Sequence, residues 1–331
     1  MFQSSVMILL RRLASLKLTL VALIILGAAI WYAYIYEAPA TWVLVPSLLL
    51  LALNLIASVA THPAFRRMSG LLLFHLGLIT IVLLVALGRL TYLKGKVELA
   101  QGEEFGGQLM EVEAGAWHWG RLDQVRFINE GFRIAYAPGV QRGQTRNAVR
   151  YLDGSGKEQV MDIGDHTPLV LSGYRFYTSP NKGFAPAFIW HPATGGAPVL
   201  GTVHLPSYPI NEYSQAREWQ LPGTAMRVWS LLQFDEVLID PASDSEFRLP
   251  NRHRMVVRIG ERRYEMQPGD AIDLAEGRLV YDGLRTWMGY TVFYDWTIHW
   301  LLVVSMLTVS ALGWHFWRKF AARPWNETRL A

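Results

Sequence analysis

The chain alternates between long uncharged apolar blocks near its two ends and shorter apolar runs in its middle. A helix rises about 1.5 Å per residue, so about 20 apolar residues cross the hydrocarbon core of a bilayer. Four blocks reach that length and predict transmembrane helices over about 18–36, 42–60, 70–90 and 296–316. We therefore expect three helices within residues 1–93, and a fourth helix with a following tail within residues 291–331.

The middle region, residues 94–290, has the pattern of an antiparallel β domain. Short runs rich in Val, Ile, Phe and Tyr alternate with glycine-containing turns. Three stretches predict hairpins: AVRYLDGSGKEQVMDIG, FAPAFIWHPATGGAPVLGTVHL and HRMVVRIGERRYEMQPGDAIDL. A helical period is confined to residues 226–237. The expected fold class is membrane α plus β, with a β-sandwich or barrel-like domain inserted between helices three and four.

The first apolar block has two possible interpretations. A secretory signal peptide would have a shorter apolar core followed by small residues at a cleavage site. Here Trp31, Tyr32, Tyr34 and Tyr36 occupy that place, and aromatic residues are typical of a membrane interface. We interpret the block as a retained helix, joined to the second block by a tight turn at residues 37–41.

Basic residues predict the orientation of the bundle. If all four blocks span the membrane, one group lies on a single side: Arg11, Arg12, Lys17, Arg66, Arg67, Arg318, Lys319 and Arg323. The positive-inside rule makes that side the cytoplasm. We expect an N-in/C-in protein of the inner (plasma) membrane, with the large domain periplasmic or extracellular. Arg89, Lys94 and Lys96 fall on the outer side, where they precede a long translocated domain and count less.

Composition excludes several functions. The chain has no cysteine, which excludes a thiol nucleophile, a CxxCH haem attachment site, zinc knuckles and disulfides. The net charge of +4 arises from basic residues at membrane edges, so we predict no nucleic-acid binding. The sequence contains no HExxH or GxSxG motif. We therefore predict no catalytic residue, and we expect lipid and proteins as partners.

Two polar residues interrupt the apolar blocks. His75 lies about five residues into the third block, or roughly 8 Å deep at about 1.5 Å per residue. Ionisable groups inside a membrane are costly, and they commonly mark a pathway or a cofactor. From the residues alone, His75 is equally compatible with a neutral imidazole bonded to a carbonyl or hydroxyl. Asn54, in the middle of the second block, is expected to bond across to a neighbouring helix.

Three stretches together resemble the ResB family of the System II pathway of cytochrome c biogenesis. They are SLKLTLVALIILG leading to LNLIASVATHPAFRR, then FHLGLITIVLLVALGRLTYLKGKVELAQGE, and finally PLVLSGYRFYTSPNKG with YTVFYD entering the last helix. The order of these motifs along four spans carries the resemblance. The chain departs from the family where DPG would follow the last strand, since it has Asp295-Trp296-Thr297 there, and its extracytoplasmic domain is short.

The resemblance implies a haem-handling function. His75 matches the histidine of the third helix that is implicated in the family as an axial haem ligand. The resemblance also implies a ResC/CcsA-type membrane partner, which would supply the second ligand, and apocytochrome c as the acceptor of haem. In this reading the chain is an accessory subunit of a cytochrome c synthase.

Other histidines leave alternatives open. His315, at a depth similar to that of His75, could supply the second ligand within the chain. His299 lies sixteen residues from His315, about 24 Å, which suits two stacked haems on one helix if another helix matched both levels. The remainder are expected at interfaces, surfaces or strands: His62, His118, His166, His191, His204 and His253. His191 and His204 flank one predicted hairpin and could face each other.

Two rival functions remain. The chain could be a membrane-anchored scaffold with a ResB-like fold that never binds haem. It could also be a quinol-oxidising cytochrome b subunit with haem that does not leave.

Overall fold

The computed structural model describes residues 2–36 and 41–321 of the chain, with side chains from Met7 onward. Its residues form two compact units. One comprises Met1–Leu93, Glu113–Trp119 and Tyr294–Ala331, and the other comprises Lys94–Val112 and Gly120–Phe293. The first unit is helical and the second is built from strands. The turn predicted at residues 37–41 and the basic residue Arg323 fall largely or wholly outside the described residues.

Within the residues that the structure describes, the helical unit contains six helices. They are α1 (Phe2–Leu13), α2 (Leu16–Tyr36), α3 (Thr41–Thr61), α4 (Ala64–Arg67), α5 (Ser69–Thr91) and α6 (Thr297–Phe320). Among the described residues, α2, α3, α5 and α6 are long and apolar enough to cross a membrane. The four predicted spans are therefore confirmed, and the chain has the helices of a multi-pass membrane protein. Sequence reasoning missed α1, because Arg11 and Arg12 interrupt its apolar pattern.

Asn54 joins α3 to the junction between α1 and α2. Its side chain is 1 % exposed. The Nδ2 group donates to the carbonyl oxygens of Leu13 at 2.6 Å and Ser15 at 3.3 Å, and Oδ1 accepts from the Thr19 hydroxyl at 2.7 Å. The bond to Leu13 satisfies a carbonyl in the last turn of α1, where intrahelical donors run out, whereas the Ser15 carbonyl also accepts from the N–H groups of Leu18 and Thr19. The predicted cross-helix function of Asn54 is confirmed.

Helices α5 and α6 pack against each other through glycines. The glycines of α5 that face α6 are Gly70, Gly77 and Gly88, and the opposing residues are His315, Thr308 and Thr297. A β-carbon added at Gly77 would lie 2.0 Å from Oγ1 of Thr308, which leaves no room for a larger residue. Small residues allow helix backbones to approach closely where no water drives their association. Since the glycine numbers rise while the opposing numbers fall, the pair is antiparallel.

The second unit is built from antiparallel sheets. Three of its strands, β1, β2 and β15, extend into the first unit. The strands are β1 (Leu93–Ala100), β2 (Glu111–Ala114), β3 (Ile128–Ala137), β4 (Gln141–Leu152), β5 (Glu158–Ile163), β6 (Leu169–Leu171), β7 (Tyr174–Pro192), β8 (Val199–Thr202), β9 (Ala216–Gln220), β10 (Arg227–Gln233), β11 (Ser245–Glu246), β12 (Arg254–Ile259), β13 (Arg262–Met266), β14 (Ala271–Leu274) and β15 (Gly277–Tyr294). One sheet has the order β2-β1-β15-β7-β6, with β14 beside β15 and β8 beside β7. The other sheets have the orders β13-β12-β10-β9 and β11-β3-β4-β5.

The three predicted hairpins are confirmed as the pairs β4 with β5, β7 with β8, and β12 with β13. The helical period at residues 226–237 was misleading, because the structure has strand β10 there. Buried and exposed positions alternate along β10, with Val228, Ser230 and Leu232 inside. This alternation has the period of two that is typical of a strand. The apolar run is too short for its pattern alone to distinguish a strand from a helix.

Large aromatic side chains fill the core of this unit. Those that are at most 3 % exposed include Tyr136, Phe184, Phe188, Trp190, Tyr208 and Tyr281. The long strands β7 and β15 supply four of these six. The core therefore lies along the two strands that also hold the largest sheet together.

Candidate functional site

His75 is half-buried in α5 and is hydrogen-bonded to its own helix. Its Nδ1 lies 2.9 Å from the carbonyl oxygen of Leu71. The imidazole ring meets the rings of Phe65 and Phe74 edge-on, at centroid distances of 4.6 and 5.2 Å. A carbonyl oxygen can only accept, so Nδ1 carries the proton and Nε2 presents a lone pair. The described part of the chain gives Nε2 no hydrogen-bond partner.

This arrangement fits an axial ligand of haem iron. Iron is bound by a neutral imidazole nitrogen, and a hydrogen bond from the other ring nitrogen to a backbone carbonyl fixes the ring and its tautomer. His75 meets both requirements within one helical turn. Among the described residues no group of three or more His, Cys, Asp or Glu could hold a free metal ion, whereas haem needs only one or two protein ligands.

The other membrane histidines do not join His75. At about 100° per residue, His75 lies about 140° around α5 from Gly70 and about 160° from Gly77, so it points away from α6. His315 packs its backbone against Gly70, and its ring contacts Phe316 at 5.5 Å. His299 is exposed near the beginning of α6. Helix α5 therefore stands between His75 and both histidines of α6.

The segment that contains His118 caps the C-terminal end of α5. The carbonyl oxygens of Tyr92, Leu90 and Thr91 accept hydrogen bonds from the Gly115 N–H at 2.9 Å, the Trp117 N–H at 2.8 Å and Nδ1 of His118 at 2.8 Å, respectively. The last carbonyls of a helix lack intrahelical partners, and these bonds supply them. The expectation of a structural histidine at position 118 agrees with these contacts.

The β unit contains an aromatic cavity of about 320 Å³. Its walls include Phe188, Trp190 and Trp219, with Phe188 and Trp219 in ring contact at 5.3 Å. Polar groups on the wall are Glu98 of β1, His204 and Arg217 of β9. Apolar walls with a few convergent polar groups are characteristic of binding pockets, whose volumes run from about 300 to 1,000 Å³.

His204 is held on four sides at one wall of this cavity. Its ring stacks on Trp287 with a centroid distance of 5.3 Å and an interplanar angle of 8°. Its Nδ1 lies 3.1 Å from a carboxylate oxygen of Glu98, and its Nε2 lies 3.9 Å from Glu103. Arg217 donates to the carbonyl oxygen of His204 at 2.8 Å. The sequence analysis placed His204 only among the surface or strand histidines, and it gave no indication of these carboxylate contacts.

The signal for this contact lay in a motif that sequence reasoning used only for the resemblance. GKVELAQGE supplies both carboxylates, but they lie more than a hundred residues from His204, so spacing could not reveal the contact. The suggestion that His191 faces His204 was also wrong. In the β7–β8 register Trp190 opposes Val199 and Ala187 opposes Thr202, which puts the two histidines at opposite ends of the hairpin. His191 and His166 are exposed.

Charged groups cluster at β7, the strand that contains YTSPNKG. Lys182 is 3 % exposed and donates to the carbonyl oxygen of Pro180 at 3.1 Å. Burial lowers the pKa of Lys182 to about 8, the positive charge of Arg142 adds to the effect, and Asp165 opposes it. Asp165 accepts two hydrogen bonds from Arg142, at 2.8 and 3.0 Å. A lysine with so low a pKa can mark a functional site, although structural ion-pair networks produce the same shift.

His253 belongs to the core rather than to a site. Its Nε2 lies 2.8 Å from the hydroxyl of Tyr281, and burial lowers the pKa of its imidazole. Like His118, His253 forms a hydrogen bond that stabilises the fold.

The described residues thus define a multi-pass membrane protein that also contains a unit of antiparallel sheets. In a comparison with protein families, residues 57–207 match the family described as the ResB-like family. This part of the chain is similar to that family, which agrees with the resemblance and suggests involvement in cytochrome c biogenesis. The match includes His75, Glu98, Lys182 and His204, and it excludes the motifs at 15–27 and 290–295. None of the curated proteins compared with the chain matches it.

Proposed function

We propose that the chain acts with a ResC/CcsA-type membrane partner to relay haem across the membrane for covalent attachment to apocytochrome c. One observation carries the proposal: Nδ1 of His75 is bonded to the Leu71 carbonyl, which leaves the Nε2 lone pair for iron. The residue lies inside the stretch that matches the ResB-like family. The chain is an accessory subunit, with no catalytic residue of its own.

His75 would hold the haem iron, and haem would supply the vinyl groups to which thiols of the apocytochrome add. Phe65 and Phe74, in edge contact with His75, restrict the rotation of the imidazole and offer apolar surface to a porphyrin. A second ligand would come from the partner, because α5 separates His75 from His315 and His299. The ring of His75 is half-buried, so a partner can reach it.

The orientation follows from the charges at the helix ends. Arg66 and Arg67 end α4, and Arg318 and Lys319 lie in the last turn of α6. With Arg11 and Arg12 at the end of α1, these residues favour an N-in/C-in arrangement in the inner membrane. The strands between α5 and α6 are then on the periplasmic or extracellular side. In that position they receive the apocytochrome.

A scaffold that never binds haem is the second candidate, and a specific observation favours it. The bond between His75 and Leu71 is also what a neutral imidazole would form in a membrane helix without any cofactor. Under this alternative the β unit docks onto another protein and His75 only satisfies its own helix.

Purification of the complex after co-expression with a ResC/CcsA-type partner and a c-type cytochrome tests the proposal. We expect a Soret band in the complex, its loss by at least about tenfold in His75→Ala, and a parallel loss of covalent haem on the cytochrome. The matched controls His62→Ala and His315→Ala keep both signals. A colourless complex that supports normal cytochrome levels would establish the scaffold. Tightly held haem without any attachment to the cytochrome would indicate a resident cytochrome b.

A further inference from the structure

We propose that the cleft between strands β8 and β9 binds an extended, apolar segment of unfolded polypeptide by strand addition to the free edge of β8. The inference rests on the proposed function in one respect: the unfolded polypeptide is the apocytochrome before haem is attached. The cleft itself belongs wholly to the β unit.

Two sheet edges face this cleft. Strand β8 pairs with β7 through residues 199–202, and β9 pairs with β10 at the end of its sheet. Within the described residues, neither strand has a backbone hydrogen bond on its other side. Both strands line the same cavity, β8 through Val199, Gly201 and Thr202, and β9 through Arg217 and Trp219. A row of unpaired N–H and C=O groups is what an added strand requires.

The edge of β8 lacks the features that protect sheet edges from pairing. Residues 193–203 contain no charged side chain. Val199 and Leu200 are 42 % and 53 % exposed. Natural edge strands commonly carry lysine or other charges that oppose pairing with another chain. By contrast the edge strand β5 begins with Glu158 and carries Asp162. The bare edge at β8 therefore favours a bound strand.

The cavity selects an apolar side chain from that strand. Phe188, Trp190 and Trp219 form aromatic walls around about 320 Å³, near the lower limit for ligand pockets. This space suits one large aromatic or branched side chain better than a whole porphyrin. The charged groups on the wall are already engaged, since Glu98 contacts the ring of His204 and Arg217 donates to its carbonyl oxygen.

The two features together indicate polypeptide rather than a small molecule. An apolar small molecule would fill the cavity but leave the edge of β8 unpaired. An extended chain pairs with that edge and places alternate side chains toward the cavity, because side chains alternate along a strand. A chain that has not yet folded offers such segments freely.

The test uses the full-length protein in detergent and a fluorescein-labelled peptide of about ten residues, made of Thr and Ser with one central Phe. Fluorescence anisotropy should show saturable binding. Replacing the Phe with Ala, or methylating alternate backbone nitrogens, should each weaken binding by about tenfold or more. Equal binding of the methylated and unmethylated peptides would overturn strand addition.

Matched variants locate the site. Val199→Lys places a charge on the β8 edge at the mouth of the cavity and should weaken peptide binding by about tenfold, whereas Val160→Lys, at an exposed position of β5, should not. An unchanged affinity in Val199→Lys overturns the location. Dimers that form without peptide and are lost in Val199→Lys would identify a second copy as the occupant, against the proposal.

The same variants separate this inference from the proposed function. Val199→Lys should keep the Soret band of the complex, and His75→Ala should keep peptide binding. A protein that binds the peptide but forms a complex without haem would refute the proposed function alone. A protein that forms a haem-containing complex but does not bind the peptide would refute the strand-addition proposal alone.

Discussion

Nδ1 of His75 and the carbonyl oxygen of Leu71 lie 2.9 Å apart, one turn from each other along α5. The bond fixes the ring and directs its free nitrogen away from the helix that carries it. The ring of Phe65, on α4, also contacts the imidazole, at a centroid distance of 4.6 Å. An imidazole held in this way needs no further partner from its own chain to act as a ligand.

The first prediction concerns replacement of that imidazole by a small molecule. His75→Gly removes the ring and leaves space beside Phe65 and Phe74, so the Soret absorbance of the complex should fall to background. Millimolar imidazole should restore part of it, because the free base can occupy the same space and bind iron. His315→Gly is the control and should neither lose the band nor respond to imidazole. A His75→Gly complex with full absorbance before imidazole is added would refute the assignment.

The second prediction concerns the contact between α5 and α6. Gly77→Ala adds a β-carbon 2.0 Å from Oγ1 and 2.9 Å from Cβ of Thr308, so the helices must separate. We expect a loss of about 1–3 kcal/mol in the free energy of unfolding, the usual cost of overpacking. Thermal unfolding in detergent measures it. The control Gly27→Ala has nothing within 4 Å of its new carbon and should be neutral or stabilising. Thr308→Ala should partly rescue Gly77→Ala.

The third prediction concerns the polar junction at Asn54. Asn54→Leu removes the bonds to Leu13, Ser15 and Thr19 and leaves the Leu13 carbonyl, at the end of α1, without its side-chain donor. A loss of about 1–2 kcal/mol is expected, together with faster proteolysis between α1 and α2. Thr80→Val, which removes an exposed hydroxyl bonded within its own helix, is the control. Proteolysis at the same rate in both variants would show that Asn54 does not hold the junction.

The fourth prediction is a dependence of stability on pH. The pKa of Lys182 is lowered by burial from 10.5 to about 8. Between these values the unfolded chain keeps a proton that the folded chain has lost, so the free energy of unfolding from this site rises with pH. Below pH 8 the full penalty applies, and Lys182→Met should be more stable than the natural protein by on the order of 2 kcal/mol at pH 7.

The difference between the two proteins should shrink as pH rises from 8 to 10.5, and chemical denaturation at a series of pH values measures it. Lys157→Met, at an exposed turn, should show no such trend. A constant difference across the series would mean that Lys182 is stabilised by a partner rather than penalised by burial.

Most of the helical unit was predictable, because apolar length alone identifies a membrane helix. The same reasoning missed α1, whose shorter stretch contains Arg11 and Arg12. It also gave no account of Gly70, Gly77 and Gly88, since a glycine in an apolar block shows its purpose only when the opposing helix is known. His75 was found because a polar residue in an apolar block is visible without any tertiary information.

The β unit was predictable as hairpins but not as a site. Local pairs such as β12 with β13 follow from turns and alternation, which a single sequence displays. The contact of His204 with Glu98 depends on how β1 and the chain after β8 come together, and no local pattern records that. The cavity beside them, and the open edge of β8, are likewise products of sheet order.

The close contact between the glycines of α5 and helix α6 also limits where a ligand could pass. With Gly77 against Thr308 and Gly88 against Thr297, nothing as large as a methyl group fits between the two backbones at those points. A flat ligand therefore cannot slip through that gap on its way to position 75. Access to position 75 must therefore be from a side of α5 other than this contact.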